Sequence, residues 1–232
     1  MPFFILLLLL LLFAPWVGFL LVLFFLVFLF VFVPLGFAAH SLLWLVLGPG
    51  QLLKVLFNKR VRRNHALEHA TVNVIEGHFG TTNVAGLAYD EGFSLKGMDD
   101  PYIVLAAARE GLERLKNGER DLAIHPRCGT TIVVTNTLSA VTFIILLLVT
   151  GYLSWLTVLI AVLCAHIFGT VLSKLAQRYL TTDQDVSGME ITGVELRTMP
   201  VYRFGLRLLL PQEIFVRTRQ PGEVLMAEVV SS

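Results

Sequence analysis

The sequence predicts a mainly α-helical membrane protein with about four transmembrane helices in two hairpins, a small α+β domain between the hairpins and a short β-rich tail. Three observations support this fold class. Of the 232 residues, 56% are hydrophobic and only 15% are charged. The mean hydropathy is +0.75. Long apolar stretches flank a single polar segment. This composition is typical of an integral membrane protein and excludes an ordinary soluble domain.

Residues 1–57 are predicted to form the N-terminal membrane hairpin. Residues 3–33 are apolar without a single charge, and we expect Pro34 to end this first helix. Residues 35–57 are also apolar, but a Gly-Pro-Gly sequence at 48–50 interrupts them. This second segment either spans the membrane as a broken helix or re-enters it, and we favour a span. The first stretch is too long for a cleaved signal peptide and lacks a basic start, so we expect it to be retained.

Residues 130–179 are predicted to form the second membrane hairpin, because a break at 151–154 divides them into two halves that can each cross a bilayer. Basic residues follow the first hairpin and end the second. Under the positive-inside rule the polar domains are therefore cytoplasmic, at the bacterial inner membrane or the thylakoid membrane. The first basic cluster would also contact anionic lipid headgroups. The basic residues are Lys59, Arg60, Arg62, Arg63, Lys174 and Arg178.

The polar segment, residues 58–129, is predicted to form a small cytoplasmic α+β domain. Its first part, 63–75, has the pattern of a helix that glycines bring to an end. Residues 82–97 alternate around an acidic turn, which indicates a β-hairpin. A second helix should begin at Pro101 and end near Asn117, where an Asn-Gly pair closes it.

The remaining residues, 180–232, are predicted to form a short β-rich cytoplasmic tail. Short alternating apolar runs replace the long apolar stretches, and residues 214–219 have the pattern of a strand. We expect this β element to pack on the cytoplasmic domain or on the membrane surface. The tail has no group of residues typical of a catalytic site, so candidate site residues come from the polar segment.

The polar segment begins with a motif that suits metal binding. His65 and His69 lie four residues apart, so both side chains share one face of the predicted helix. Glu68 stands beside them in the H-x-x-E-H pattern of inverted zincins. In that pattern two imidazoles hold the metal and the carboxylate acts as general base. The alternative is that these are ordinary polar residues on a solvated helix face.

A second pair of metal-binding residue types ends the same segment. His125 and Cys128 have the H-x-x-C spacing that suits zinc, and their loop opens directly into the third predicted membrane helix. The H-x-x-E-H helix likewise begins a few residues after the second membrane segment. Both motifs are therefore tethered at one membrane face, and we expect them to form one composite site. Glu76 should lie too far along a straight helix to bind the same ion.

These motifs resemble those of a bacterial membrane-protein family that is best represented in cyanobacteria. The resemblance rests on HALEHAT, a Gly-Phe turn, an amphipathic helix, LAIHPRCGT and a membrane hairpin, and it extends from about Asn64 to the end of the chain. A second uncharacterised membrane family, which pairs HGAEH with HPRCGT, is also similar. Neither family has an established activity. The resemblance therefore implies a fold, together with a metal site made of the histidines and the cysteine of the two motifs.

Two functions are compatible with this combination of features. We favour a structural zinc site that supports partner binding or the assembly of membrane complexes. Its four ligands would be His65, His69, His125 and Cys128. The alternative is a membrane-anchored zinc metallohydrolase, an inverted-zincin-like peptidase with a peptide substrate. His65 and His69 would be ligands, His125 or Cys128 the third ligand, and Glu68 the general base. Iron, cobalt or nickel would suit these ligands nearly as well as zinc.

Other classes of function are poorly supported. A transporter or channel accessory needs ionisable groups along a membrane pathway, and the membrane segments hold few besides His40 and His166. The net charge is +1, and acidic and basic residues are balanced in the polar segment, which argues against a nucleic-acid partner. The lipid bilayer is the partner that the composition itself predicts.

Overall fold

The computed structural model describes residues 2–80, 83–203 and 206–220. Three helices in this part of the chain are long and apolar enough to cross a membrane: Pro15–Gly50, Gly129–Thr150 and Trp155–Thr181. The protein is mainly helical, and a small antiparallel sheet accompanies the apolar helices. The predicted arrangement of four spans in two hairpins is not confirmed, because the apolar residues that precede Gly50 contain one long candidate span.

The described residues form seven α-helices and four strands. The helices are α1 (Pro2–Phe13), α2 (Pro15–Val27), α3 (Val33–Leu56), α4 (Lys59–Phe79), α5 (Pro101–Lys116), α6 (Gly129–Thr150) and α7 (Trp155–Ala176). The strands are β1 (Ala85–Tyr89), β2 (Gly92–Lys96), β3 (Glu190–Arg203) and β4 (Leu206–Arg219). The chain divides into two compact units. One contains the residues up to Pro49 together with Thr135–Gly169, and the other contains Gly50–Val134 and the described residues from Thr170 onward.

Pro34 does not end the first long helix, so that expectation was wrong. A π-helical turn at Phe28–Phe32 precedes it, and the amide of Val33 donates to the Phe28 carbonyl, five residues back. The wider turn gives the proline ring room where it would otherwise clash with the preceding turn of the helix. α3 then continues through Pro34 and also through Pro49.

Apolar side chains and small residues hold the first unit together. Phe143 is fully buried and packs edge-on against Phe37, with 5.0 Å between the ring centroids. Ala161 is buried in the same cluster. A Cβ atom at Gly169 would lie 2.8 Å from the Thr135 hydroxyl. A glycine at this position therefore permits α7 to approach α6 closely, as is common between membrane helices.

The second unit is organised around α4, whose central turns are buried. Asn58 caps the first turn by accepting hydrogen bonds from the amides of Arg60 and Val61. Gly80 follows the last turn with a φ of +78°, a conformation that favours glycine and ends the helix. α4 is therefore longer at both ends than the predicted range 63–75, because its capping residues lie outside that range.

One antiparallel sheet contains both the predicted hairpin and the tail. The hairpin is confirmed, with β1 and β2 joined by a two-residue turn that contains Asp90 and Glu91. β2 also pairs with β4, and β4 pairs with β3, which gives the strand order β1-β2-β4-β3. The strand expected at 214–219 is the last part of β4. The tail therefore completes the sheet of the polar segment, and β1 lies at an edge of that sheet.

The core of the second unit lies where α4, α5 and the sheet meet. Gly111 of α5 approaches α4 so closely that a Cβ atom there would lie 3.1 Å from the Ala70 carbonyl carbon. Asn64 is fully buried. It donates to the Tyr89 carbonyl and accepts from the Thr218 hydroxyl, each at 2.7 Å. These bonds tie α4 to β1 and β4 and fix the helix face that carries the H-x-x-E-H motif.

Candidate metal centre

α4 carries three of the predicted site residues on one face. The rings of His65 and His69 lie 4.3 Å apart, centroid to centroid, and Glu68 is buried beside them. The loop before α6 brings Cys128 to the same place, with its Sγ atom 3.2 Å from Nε2 of His65. The candidate ligand atoms of His65, His69 and Cys128 all lie within 4.8 Å of one another. The fold thus forms a His, His, Cys group that could hold a metal ion.

Both histidines have the hydrogen bonds that orient metal ligands. Nδ1 of His69 donates to the Ala123 carbonyl at 2.7 Å, and Nδ1 of His65 donates to the Thr181 carbonyl at 2.9 Å. Because a carbonyl only accepts, each Nδ1 carries a proton, and Nε2 is the ring nitrogen that is left to bind a metal ion. Within the described part of the chain, the buried Nε2 of His69 has no hydrogen-bond partner. Burial is the main cause that holds the pKa of His69 well below its usual value, and the neighbouring His65 lowers this pKa further. The neutral form of the ring is therefore favoured.

The loop before α6 is fixed to α4 by side-chain hydrogen bonds. Asn73, one turn after His69, donates to the carbonyls of Leu122 and Ile124 at 2.8 and 3.1 Å. These two carbonyls flank the one that His69 uses. Three successive carbonyls of the loop therefore accept hydrogen bonds from α4, and this holds the H-x-x-C motif against the H-x-x-E-H helix.

Cys128 lies immediately before the first residue of α6. Its side chain is buried, and the amide of Thr130 donates to Sγ at 3.3 Å. Burial raises the pKa of the Cys128 thiol, which favours the protonated form. A divalent cation has the opposite effect, because it binds and stabilises the thiolate. Two neutral imidazoles and one thiolate form a donor set that zinc accepts.

Glu68 lines a cavity of about 450 Å³ together with His65 and Cys128. Its side chain is 8% exposed, and Oε2 lies 3.8 Å from Nε2 of His65. Burial raises the pKa of Glu68 to about 7, against the opposing effect of His65. A bound cation would favour the carboxylate form. A carboxyl group and two candidate ligands therefore border one space that is large enough for water and part of a substrate.

Gly86 in β1 is the residue against which Glu68 packs. A Cβ atom at Gly86 would overlap the Glu68 carboxyl group. We therefore expect Gly86→Ala to displace Glu68. In the metallohydrolase that the sequence offers as one alternative, this displacement should lower hydrolysis by about tenfold or more, because small misplacements of a general base are costly. The metal content should not change. Gly77→Ala is the matched control, since a side chain there meets nothing within 4 Å. Unchanged hydrolysis by Gly86→Ala would contradict a role of Glu68 as general base.

His125 is the predicted metal ligand that lies outside the group of three. Its Nε2 atom lies 3.2 Å from Oε2 of Glu76, and its ring centroid is 6.1 Å from that of His69. Arg127 pairs with the same carboxylate, and the His125 amide donates to the Gln177 side chain at 2.9 Å. A role for His125 as a metal ligand stays a prediction.

Several residues that shape the site were not predictable from the sequence. Glu76 was expected to lie too far along the helix to be a ligand. Its pairing with His125 was not predicted. The available signal was that Glu76 lies on the same helix face as the H-x-x-E-H motif, two turns beyond it. Gly86 and the carbonyls of Ala123 and Thr181 have no local sequence signal. They reach the site only because the hairpin, the loop and the π-helical turn Gln177–Thr181 that follows α7 pack around α4.

The fold combines helices that are long and apolar enough to cross a membrane with a candidate metal centre. The chain belongs to the family described as Domain of unknown function (DUF6391), whose model matches residues 60–194. An uncharacterized protein from Picosynechococcus sp. (strain ATCC 27264 / PCC 7002 / PR-6) is 39% identical over 103 residues, which cover 40% of this chain and 47% of the relative. The chain thus spans about half the length of the curated relative that it matches. No solved structure matches it significantly. An uncharacterised family with a cyanobacterial relative is therefore confirmed.

Proposed function

We propose that this protein is a membrane-bound zinc metallohydrolase that cleaves peptides, with His65, His69 and Cys128 as the zinc ligands. The main support is that three ligand atoms lie within 4.8 Å of one another, beside the buried carboxyl group of Glu68 and a cavity. Catalytic zinc has three protein ligands and an open position, whereas structural zinc has four. A group of three ligands that borders a cavity therefore favours catalysis over the structural role.

Glu68 is proposed as the general base and general acid of peptide hydrolysis. Zinc, when bound, would supply a water of lowered pKa and polarise the substrate carbonyl. Glu68 accepts a proton from the attacking water, whose oxygen bonds to the carbonyl carbon of the peptide. The carbon–nitrogen bond breaks, and Glu68 passes the proton to the leaving nitrogen. The products are a carboxylic acid and an amine.

Zinc is the proposed metal because the donor set combines two neutral imidazoles with one thiolate. Hydrogen bonds from both Nδ1 atoms to backbone carbonyls orient the imidazoles and raise their basicity as ligands. Iron, cobalt and nickel suit imidazole and thiolate ligands nearly as well. Metal analysis of the purified protein distinguishes among them.

A structural zinc site is the second candidate, and the position of His125 favours it. The His125 ring is buried and lies 6.1 Å from the ring of His69. If His125 were released from Glu76, its ring could approach a metal ion as the fourth ligand and complete the tetrahedral coordination of a structural zinc site. The protein would then act through partner binding or the assembly of membrane complexes, and Glu68 would have no role in catalysis.

We also propose the membrane topology that the sequence predicts, in the bacterial inner membrane or the thylakoid membrane. Membrane hairpins would occupy residues 1–57 and 130–179, and the polar domain, 58–129, and the tail, 180–232, would be cytoplasmic. The basic residues at the ends of the two hairpins support this orientation. The candidate span Pro15–Gly50 has 36 residues, more than the roughly 20 that one crossing needs. With α1, the N-terminal region has the length for two crossings.

Metal-dependent hydrolysis tests the proposed function. Zinc-loaded protein, purified in detergent, should hydrolyse fluorescein-labelled casein. A zinc chelator should abolish the hydrolysis, and added zinc should restore it, because the reaction needs the metal-activated water. Hydrolysis that persists after complete removal of the metal would contradict the proposal, and so would the absence of hydrolysis by the zinc-loaded protein.

A further inference from the structure

The outer side of β1 pairs with no other strand among the described residues. Residues that flank a two-residue hairpin loop form a hydrogen-bonded pair, and such pairs alternate along antiparallel strands. Tyr89 is aligned with Gly92 across the loop, so Tyr89 and Leu87 direct their backbone groups toward β2. Gly86 and Ala88 therefore direct their backbone N–H and C=O groups outward, away from the sheet.

The pairing of β2 with β4 agrees with this alternation. The amide of Thr218 donates to the Glu91 carbonyl at 2.9 Å, and Phe93 is aligned with Val216 two residues further on. The odd-numbered residues of β2 therefore direct their backbone groups toward β4. The even-numbered residues, among them Ser94, are left to pair with β1.

β1 lacks two of the features by which proteins protect a sheet edge from other chains, namely charged residues and proline. Its sequence, Ala-Gly-Leu-Ala-Tyr, contains no charged residue and no proline. The apolar side chain of Leu87 is 58% exposed. An uncharged edge with outward-facing donors and acceptors is complementary to the backbone of an extended peptide.

The same strand borders the cavity that contains the candidate metal centre. Residues 84–88 line the cavity, and so do His65, Glu68 and Cys128. A peptide that pairs with β1 would therefore run past the candidate ligands and the Glu68 carboxyl group. The rest of the lining is rich in apolar side chains, which suit apolar residues of a peptide. They include Leu52, Val55, Val61, Val72, Ile132 and Val133.

We propose that the edge of β1 binds an extended peptide segment as an additional strand, with apolar side chains at every second position in the cavity. This binding site would define the substrate class as an unfolded or extended polypeptide segment. The role of the bound peptide as a substrate rests on the proposed hydrolase function. The binding of the peptide by β1 does not depend on catalysis.

The first test measures binding in the zinc-loaded Glu68→Gln variant, in which the peptide should stay intact. The probe is a fluorescein-labelled peptide of about eight residues, within the usual length of a strand, that alternates leucine and serine. Its binding is followed by fluorescence anisotropy in detergent. N-methylation of every leucine amide removes the donors on one side of the strand, and N-methylation of every serine amide removes those on the other. We expect one methylated peptide to bind about tenfold more weakly or worse, and the other to bind within about threefold of the parent peptide.

The second test removes a donor from the protein. Ala88→Pro eliminates an amide that faces away from the sheet, where an edge strand tolerates proline, so its pairing with β2 should remain. Ala88→Val keeps the amide and is the matched control. We expect Ala88→Pro to bind the parent peptide about tenfold more weakly than Ala88→Val, with an unchanged zinc content.

The outcomes separate this binding site from the proposed function. Peptide binding that is insensitive to both methylation patterns and to Ala88→Pro would overturn the β1 site, even if casein is hydrolysed. Equal loss of binding with the two methylated peptides would also overturn it. Binding that depends on one methylation pattern and on Ala88 would support the site, even if zinc-loaded protein does not hydrolyse casein.

Discussion

Glu68→Gln should lower zinc-dependent casein hydrolysis by about a hundredfold to ten-thousandfold, the usual contribution of a general base, while the protein keeps its metal. Glutamine has nearly the shape of glutamate and can occupy the same buried space beside Gly86. Its amide cannot accept the proton of the attacking water. The ligand atoms of His65, His69 and Cys128 are not altered, so the zinc content should stay at the parent value.

Glu113→Gln is the control for this loss of activity. Glu113 lies on α5 with a side chain that is 67% exposed, and it pairs with Lys116. Exposed ion pairs contribute little, so we expect hydrolysis within about twofold of the parent. Full activity in Glu68→Gln would contradict the role of Glu68 as general base. Loss of zinc from Glu68→Gln would instead identify Glu68 as a ligand.

Cys128→Ala and His125→Ala should differ sharply in metal binding. Sγ of Cys128 belongs to the group of three ligand atoms, so its removal should weaken zinc binding by more than the roughly 10- to 100-fold that a lost ligand-orienting hydrogen bond costs. His125 binds Glu76 instead, so His125→Ala should weaken zinc binding by about tenfold at most. Competition with a fluorescent zinc chelator in detergent measures both affinities.

The same pair of variants decides between the two proposed functions. Retention of zinc by His125→Ala would support an open site with three protein ligands, as hydrolysis requires. Loss of zinc from both variants to the same extent would support the closed, structural site. Tight zinc binding by Cys128→Ala would contradict the ligand set of both proposals.

Most elements of the second unit were predictable because their ends have local signals. α5 begins at Pro101 after the capping residue Asp100, and the last helical residue precedes Asn117, as predicted from the Asp-Pro and Asn-Gly sequences. The hairpin turn at Asp90 and Glu91 was predictable for the same reason, since alternating residues flank it.

The path of the N-terminal region was harder to predict. The rule that proline ends a helix failed at Pro34 because a π-helical turn at Phe28–Phe32 precedes it, and no local residue pattern announces such a turn. The predicted range 63–75 of α4 was also too short at both ends, although a glycine does end the helix, as expected. Asn58 and Gly80 are ordinary capping residues, but the apolar periodicity that indicated the helix is confined to its buried central turns.

The candidate site was predictable where spacing along one helix determines geometry. The four-residue spacing of His65 and His69 places both rings on one face, and the approach of Cys128 was inferred from the positions of the two motifs next to membrane segments. The orientation of His125 toward Glu76 and the contact of Gly86 with Glu68 were not predictable. Both depend on how the loop and β1 pack against α4.

Metal content per chain tests the central claim most directly. Inductively coupled plasma mass spectrometry of detergent-purified, zinc-reconstituted protein should find about one zinc ion per chain in the parent and in His78→Ala, and almost none in His69→Ala. His78 is a matched control because it lies on α4, is 59% exposed and pairs with Glu110. No metal in the parent, or as much metal in His69→Ala as in the parent, would contradict a metal centre built on His65, His69 and Cys128.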